Sequence, residues 1–287
     1  MNALMLCTDL DRTLIPNGPL PESASARPRF ARLAGATEVT IVYVTGRHLA
    51  MVQAAMEEWQ LPIPDFIISD VGTSIWRPQG NDGWQLDESW AQTLAGDWQD
   101  MQSSALAGEL QTRINPMETL RLQSPERQNR FKLSYTYGQD AEPGQLGAQL
   151  QAALDSLGIK ARLVFSVDDI TGEGLLDILP RSASKRHALE ALMRAEGRTD
   201  EQTVFCGDSG NDLEVLVSGI PAVLVANATH AVRQQIDELS GKLPGPSRLY
   251  QARGGLLGMN GNYAGGILEG VVHFHPWALE RLRRVTS

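Results

Sequence analysis

The stretch LCTDLDRTL, residues 6–14, sets two carboxylates, Asp9 and Asp11, directly behind an apolar run that starts at Ala3. A short apolar run bounded by polar residues reads as a buried strand. Acids belong at the end of such a strand in an open parallel sheet, because ligands bind in the crevice beyond the carboxyl ends of the strands. The same pattern recurs along the chain. VTIVYVT (39–45), DFIISDVG (65–72), TVFCGD (203–208) and PAVLVAN (221–227) are short, rich in Val, Ile and Phe, and end at Thr, Gly, Asp or Asn. Helical patterns lie between them at 27–35, 47–61, 184–197 and 210–219. The alternation predicts an α/β fold: a doubly wound, mostly parallel, Rossmann-like core with right-handed crossovers.

The middle of the chain breaks this rhythm. After WRPQGNDG (76–83) come two helical stretches, about 86–109 and 143–158, and four extended pieces, TLRLQ, RFKLSYTYG, ARLVFSV and GLLDILP. Hairpin-like strands with helices predict an inserted α+β cap domain, so the expected organisation is core 1–80, cap 81–175 and core 176–287. The Gly-rich tail 244–270 reads as a loop ahead of a closing helix.

With 287 residues the chain can bury a full core, and two domains are expected. A net charge of -9 disfavours nucleic acid and anionic membrane as partners, so any anion must be bound by a local device. There is no apolar run of about 18 residues, and the N-terminal stretch lacks a signal-peptide pattern, so the expected location is cytoplasmic. Cys7 and Cys206 stand in apolar runs without metal-ligand spacing and read as buried thiols.

Polar residues that follow strands are presented to one crevice. Here these are Asp9 and Asp11 after the first strand, Thr45 after the second, and Asp208 and Asp212 after TVFC, with Lys185 opening a helix. Taken together, DLDRT (9–13), VTGR (44–47), Lys185 and GDSGND (207–212) resemble the four ordered motifs of the haloacid dehalogenase superfamily of phosphohydrolases. The residue types suit Mg²⁺-dependent phosphoryl transfer, since Mg²⁺ takes oxygen ligands and commonly uses few carboxylates. Asp9 is the expected nucleophile, forming an aspartyl-phosphate, and Asp11, on the same side of an extended backbone, the general acid and base. Lys185 and Thr45, helped by the backbone of Leu10 and Gly46, are expected on the phosphate oxygens. The expected metal set is Asp9, Asp11, Asp208 and Asp212, with Asp212 supporting Lys185 or a metal-bound water. Ser209 and Asn211 line the same loop, and Gly207 and Gly210 permit its course. Arg47 reads either as a solvated helix start or as a substrate contact. Arg12 and Arg186 stand where the superfamily often has Gly.

Three further stretches, QSPERQNRFKLSY (123–135), LLDILPRSASK (175–185) and the tail 250–274, look like the sucrose-phosphate phosphatase family. That resemblance implies hydrolysis of sucrose 6-phosphate beneath a cap that folds over the disaccharide. Phosphatases of mannosylfructose phosphate and kanosamine 6-phosphate are similar alternatives. It further implies sugar-side contacts from Gln123, Gln128, Asn129 and Lys132, against the alternative of a polar hairpin facing solvent. The implied partner is a small-molecule sugar phosphate, and association with a sugar-phosphate synthase follows from pathway logic. The rivals are a phosphohexomutase, a receiver-like phospho-acceptor module and a non-catalytic sugar-binding protein. His273 and His275 read as helix-end residues, and Trp76, Trp84, Trp90 and Trp98 as packing rather than sugar stacking.

Overall fold

In a computed structural model, which describes residues 3–80, 83–114, 120–138, 141–167, 172–240 and 248–283, the first strand, β1 (Leu4–Thr8), is buried at every position. A strand covered on both faces has no need of alternation, which is why LMLCT is apolar nearly throughout. It pairs in parallel with β2 (Val39–Val44) on one side and β10 (Thr203–Gly207) on the other. Parallel pairing continues to β3 (Phe66–Ser69) beyond β2, and to β11 (Ala222–Leu224) and β12 (Leu249–Gln251) beyond β10. An antiparallel β4 (Ser74–Gln79) and then β5 (Gly83–Leu86) finish the eight-stranded sheet. The chain leaves β1 toward one edge and returns to its other side at β10, so the switch point lies between these two strands. The mostly parallel α/β core read from the sequence is the observed one.

Helices α1 (Ala26–Ala34), α2 (Leu49–Trp59), α6 (Lys185–Ala195), α7 (Leu213–Leu216), α8 (His230–Ser240), α9 (Ala264–Phe274) and α10 (Ala278–Arg283) accompany this sheet. Helix α9 sits directly on β11. A Cβ at Gly270 would lie 2.1 Å from Val223 Cγ2, so only a bare helix face permits that approach. Trp76 and Trp84 pack against the same core cluster. The stretch 210–219 yields only a short turn at Gly210–Asp212 followed by α7, which ends at Leu216, and the backbone then turns left-handed at Gly219 (φ 94°). The tail read as loop contains β12, whose residues 249–251 borrow regular structure from β11; the tail's first residues, 244–247, lie outside the described set.

Residues Leu86–Ser184 form a second unit, and Met1–Gln85 with Lys185–Ser287 form the first. The inserted unit has its own antiparallel sheet, ordered β6 (Leu120–Leu122), β7 (Leu133–Tyr137), β9 (Gly174–Pro180), β8 (Ala161–Val167). Helices α3 (Glu88–Asp97), α4 (Ser103–Arg113) and α5 (Pro143–Ser156) belong to it. Its interior holds Trp98, Leu106, Leu110, Leu150, Tyr135 and Ile178. The stretch expected as one helix over 86–109 is two, interrupted where Gln99 and Asp100 take left-handed φ of 50° and 62°. Pairing of β9 with β7 and β8 extends this unit through Ser184, whereas the sequence reading resumed the core at 176; residues 81–82, at the other expected boundary, lie outside the described set.

Candidate active site

Asp9 is the first residue beyond β1, and its backbone N–H still donates to Cys206 O of β10 at 2.9 Å. The two strand ends therefore bring Asp9 beside the loop that carries Asp208. Asp9 and Asp208 are both buried, and so are Asp212, Lys185 and Thr45. Lys185, at the start of α6, donates to Asp9 Oδ1 at 2.9 Å, Asp212 Oδ1 at 2.7 Å and Asn211 Oδ1 at 3.0 Å. An ammonium has three protons, so these partners fix it completely.

Asp212 is spent on order. Its Oδ2 accepts from the N–H groups of Asp208 and Ser209, both at 3.1 Å, and from Ser209 Oγ at 3.2 Å, while Oδ1 takes Lys185. Gly207 makes that possible: a Cβ there would lie 2.6 Å from the Asp212 carboxyl carbon. Nothing lies within 4 Å of a Cβ built on Gly210, so its lack of a side chain is not needed for space. Asp208 Oδ1 accepts from Thr13 Oγ1 at 3.1 Å. Thr45 is held by its N–H to Ile68 O and by Val71 N–H to its carbonyl, and its Oγ1 accepts from Arg47 N at 3.2 Å. Gly46 stands beside it with room for a side chain, since a Cβ would be 3.8 Å from Val71 Cγ2.

Asp11 departs from its expected place. Its carboxylate receives the fork of Arg47, Nε to Oδ2 at 2.8 Å and Nη2 to Oδ1 at 2.7 Å, and Asn17 Nδ2 donates to Oδ1 at 2.7 Å. Arg47 is thus neither a solvated helix start nor, in this conformation, free for substrate. Arg12 takes φ 57°, which accounts for the superfamily's frequent Gly at that position. Arg186, the other departure, makes an ion pair with Glu190 one turn along α6 at 2.7 Å.

The electrostatics follow from burial and neighbours. Desolvation pushes Asp9 up to about 8; Lys185 pulls against this, and Asp212 and Asp208 add to it. Asp208 is pushed up to about 7, chiefly by burial and then by Asp212. Burial opposes the charge on Lys185, but Asp212 and Asp9 outweigh it and raise its pKa. For Asp11 burial raises the pKa, yet the hydrogen bonds and charge of Arg47, with Asn17, leave it below the usual carboxylate range.

Ligand oxygens of Asp9, Asp208 and Asp212 lie within 4.8 Å of one another. Three buried carboxylates facing one ammonium form a site short of positive charge, and an all-oxygen donor set suits Mg²⁺. Since both oxygens of Asp212 already accept hydrogen bonds, Asp9 and Asp208 are the residues suited to reach the ion. The four-acid metal set is corrected here: the Asp11 carboxylate is not among the converging groups, because Arg47 and Asn17 hold it.

The residues expected on the sugar side lie in the second unit, together at the β6–β7 hairpin. Gln123 Nε2 donates to Tyr135 O at 3.0 Å. Gln128 donates to Ser134 O at 2.8 Å and Gln123 O at 3.1 Å, and accepts from Ser134 N at 2.7 Å. Asn129 Oδ1 accepts from Phe131 N at 2.8 Å, and Lys132 Nζ is 3.8 Å from Asp177 Oδ2. Sequence reasoning missed Thr13 and Asn17 as site residues. Thr13 had a signal, as the last residue of DLDRT; Asn17, in a loop of mixed composition, had none.

Residues 2–275 match the family of sucrose-6F-phosphate phosphohydrolases. A HAD-like hydrolase of Nitrosococcus oceani is 47% identical over 95% of this chain and 72% of its own length. The mannosylfructose-phosphate phosphatase of Agrobacterium fabrum is 29% identical over 78% of this chain and 83% of its own. The chain spans about half the length, 52%, of the tobacco sucrose-phosphatases it matches. Among solved structures, the sucrose-phosphatase of Synechocystis sp. PCC6803 in complex with sucrose and phosphate superposes with a TM-score of 0.71 at 28% identity, covering 96% of this chain and 98% of that one. Among the described residues no helix is long and apolar enough to cross a membrane. With its motifs gathered at the switch point and its length matched almost throughout, the chain belongs to the sucrose-6F-phosphate phosphohydrolase family of HAD-like phosphoric monoester hydrolases.

Proposed function

We propose that this protein is a cytoplasmic, Mg²⁺-dependent phosphatase that hydrolyses sucrose 6-phosphate through an aspartyl-phosphate on Asp9. The observation that carries the reading is the buried Asp9, held by Lys185 beside Asp208 at the switch point between β1 and β10. The likeness to a sucrose-phosphatase solved with sucrose and phosphate supports the choice of sugar.

One oxygen of Asp9 is fixed by Lys185, leaving the other to attack phosphorus in line as the bond to the sugar oxygen breaks. Bound Mg²⁺, held by Asp9 and Asp208, supplies positive charge that keeps the carboxylate ionised and offsets charge on the phosphate. Thr45 and the Gly46 N–H bind the phosphoryl oxygens, and Lys185 joins them by turning the proton now on Asn211 toward the phosphate. Asp11 gives a proton to the departing sugar oxygen, then takes one from the water that attacks the aspartyl-phosphate, freeing phosphate and restoring Asp9. Arg47 exchanges Asp11 for the substrate in that sequence, which releases Asp11 from the partner that keeps it ionised. Gln123, Gln128, Asn129 and Lys132 are proposed as sugar-side residues on the family resemblance. In the hairpin, Gln123 and Gln128 also hold the backbone. Association with the synthase that supplies the sugar phosphate is proposed in turn, and co-elution of the two proteins tests it.

The test is a phosphate-release screen with Mg²⁺ over sucrose 6-phosphate, mannosylfructose phosphate, kanosamine 6-phosphate and simple hexose phosphates. The expected result is fastest release from sucrose 6-phosphate, abolished by excess EDTA. Preference for the mannosylfructose ester would move the substrate to that of the Agrobacterium fabrum relative. An isomeric sugar phosphate without free phosphate would make the protein a mutase and overturn the proposal.

A further inference from the structure

The Gly-rich tail has no part in the chemistry above, yet it is tied closely to the loop that follows Asp11. Tyr263 is buried, with φ 49°, and its hydroxyl donates to Leu20 O at 2.9 Å. A Cβ at Gly18 would lie 2.7 Å from that hydroxyl, so the loop rests on the tyrosine. Asn260 and Asn262 side chains both donate to Pro21 O, at 2.8 and 2.9 Å. The far end of the tail is anchored on Glu269 of α9, whose carboxylate accepts from Tyr250 Oη, Arg253 N and Gly254 N.

From this strap an unbroken series of hydrogen bonds reaches the Asp11 carboxylate. Tyr263 N donates to Asn227 Oδ1 at 2.8 Å, and Asn227 Nδ2 donates to Arg12 O at 2.6 Å. Arg12 N donates to Asn17 Oδ1 at 2.8 Å, and Asn17 Nδ2 donates to Asp11 Oδ1 at 2.7 Å. Both peptide faces of Arg12, a residue in the left-handed region, are therefore gripped by amide side chains that point their other ends at the tail and at Asp11. A half-exposed carboxylate beyond the end of a strand has rotamer freedom that a reacting group cannot keep. An amide locked at its opposite end removes that freedom. By occupying Oδ1, Asn17 also leaves Oδ2 as the oxygen for proton transfer once Arg47 departs.

We infer that Asn17 and Asn227 are positioning residues for Asp11, and that the tail segment 260–263 serves catalysis by holding them. The inference rests on the proposed role of Asp11 as general acid and base.

Asn17→Asp keeps the acceptor for Arg12 N but replaces the donor to Asp11 with a second carboxylate oxygen; Asn17→Ala removes both. If Asn17 only holds the loop, Asn17→Ala is the more damaging change. If it positions Asp11, Asn17→Asp is. Steady-state kinetics are read on whichever sugar phosphate the wild type turns over fastest, so that failure of sucrose 6-phosphate as substrate leaves this test standing. The expected result is a kcat loss of about tenfold for Asn17→Ala and about a hundredfold for Asn17→Asp, with KM within about twofold. Asn227→Asp, which keeps the acceptor for Tyr263 N and loses the donor to Arg12 O, is expected to lower kcat about tenfold, and melting curves report whether each variant folds.

Pre-steady-state kinetics with p-nitrophenyl phosphate separate the steps, since nitrophenolate departs without a proton. The burst is expected to keep its wild-type rate in Asn17→Asp while the steady state slows. Wild-type kcat in a folded Asn17→Asp protein, an Asn17→Ala protein slower than Asn17→Asp, or a burst slowed as much as turnover would each overturn the inference. A wild-type protein that releases phosphate from no ester would overturn the phosphatase reading instead, and this one with it.

Discussion

At Gly207 the absence of one methyl group decides where Asp212 can stand. Because a Cβ would sit 2.6 Å from the Asp212 carboxyl carbon, Gly207→Ala must displace the residue that orders Lys185 and the Asp208 loop. It is expected to lower kcat on the order of a hundredfold, since misplacement of about 1 Å in a catalytic group costs that much. Wild-type kcat in a folded Gly207→Ala protein would show that Asp212 does not need its present position. The buried acids add a pH dependence. Burial pushes Asp9 up to about 8 and Asp208 up to about 7, well above the ordinary carboxylate range. Folded pKa values above the unfolded ones mean stability fully present below about pH 4 and lost as pH rises through 7 to 8. Mg²⁺ competes with those protons, so it is expected to raise the melting temperature far more at about pH 8 than at about pH 5. Equal shifts at both pH values would contradict this placement of the metal. These residues were legible because each acid abuts an apolar run. The orientation of Asp11 was not, because it depends on Arg47, 36 positions away, and on an asparagine in an unpatterned loop.

The strands of the core were readable because burial on both faces leaves continuous apolar runs, as in LMLCT of β1. Helix α9 was readable for a similar reason, and its glycines mark where it touches β11. The interruption between α3 and α4 was not, since neither Gly nor Pro marks Gln99 and Asp100; the turn is closed by backbone bonds from Asp100 N–H to Ala95 O and from Met101 N–H to Trp98 O. Strand β12 was hidden because three residues carry no period, and β11 alone gives them a partner. The β6–β7 hairpin yields a prediction at this scale. Gln128 makes three hydrogen bonds to backbone groups of Gln123 and Ser134. Gln128→Ala is expected to destabilise the protein by about 1–3 kcal/mol, read in denaturant unfolding, with the phosphate-site chemistry retained on p-nitrophenyl phosphate. A Gln128→Ala protein of unchanged stability would return this residue to a purely sugar-binding role.

At the scale of the molecule, a chain of net charge -9 is proposed to bind a phosphate ester, which its overall field repels. The proposed remedy is local: Lys185 is buried among acids, and the same carboxylates are proposed to draw a cation. Only the fold can assemble this, since Asp9 and Lys185 are 176 positions apart and meet because α6 packs against the turn at Gly210–Asp212, which follows β10, the neighbour of β1. The inserted unit carries its own sheet and core between β5 and α6, leaving the segments that form the switch point continuous.

The claim beneath all of this is covalent catalysis by Asp9. Acid quench of the Mg²⁺ enzyme within one turnover of labelled sugar phosphate, followed by peptide mapping, tests it most directly. The account predicts phosphate on the peptide containing Asp9, chased by water and absent from Asp9→Asn. Turnover at full rate by Asp9→Asn, or phosphate release with no labelled peptide at any time, would contradict it.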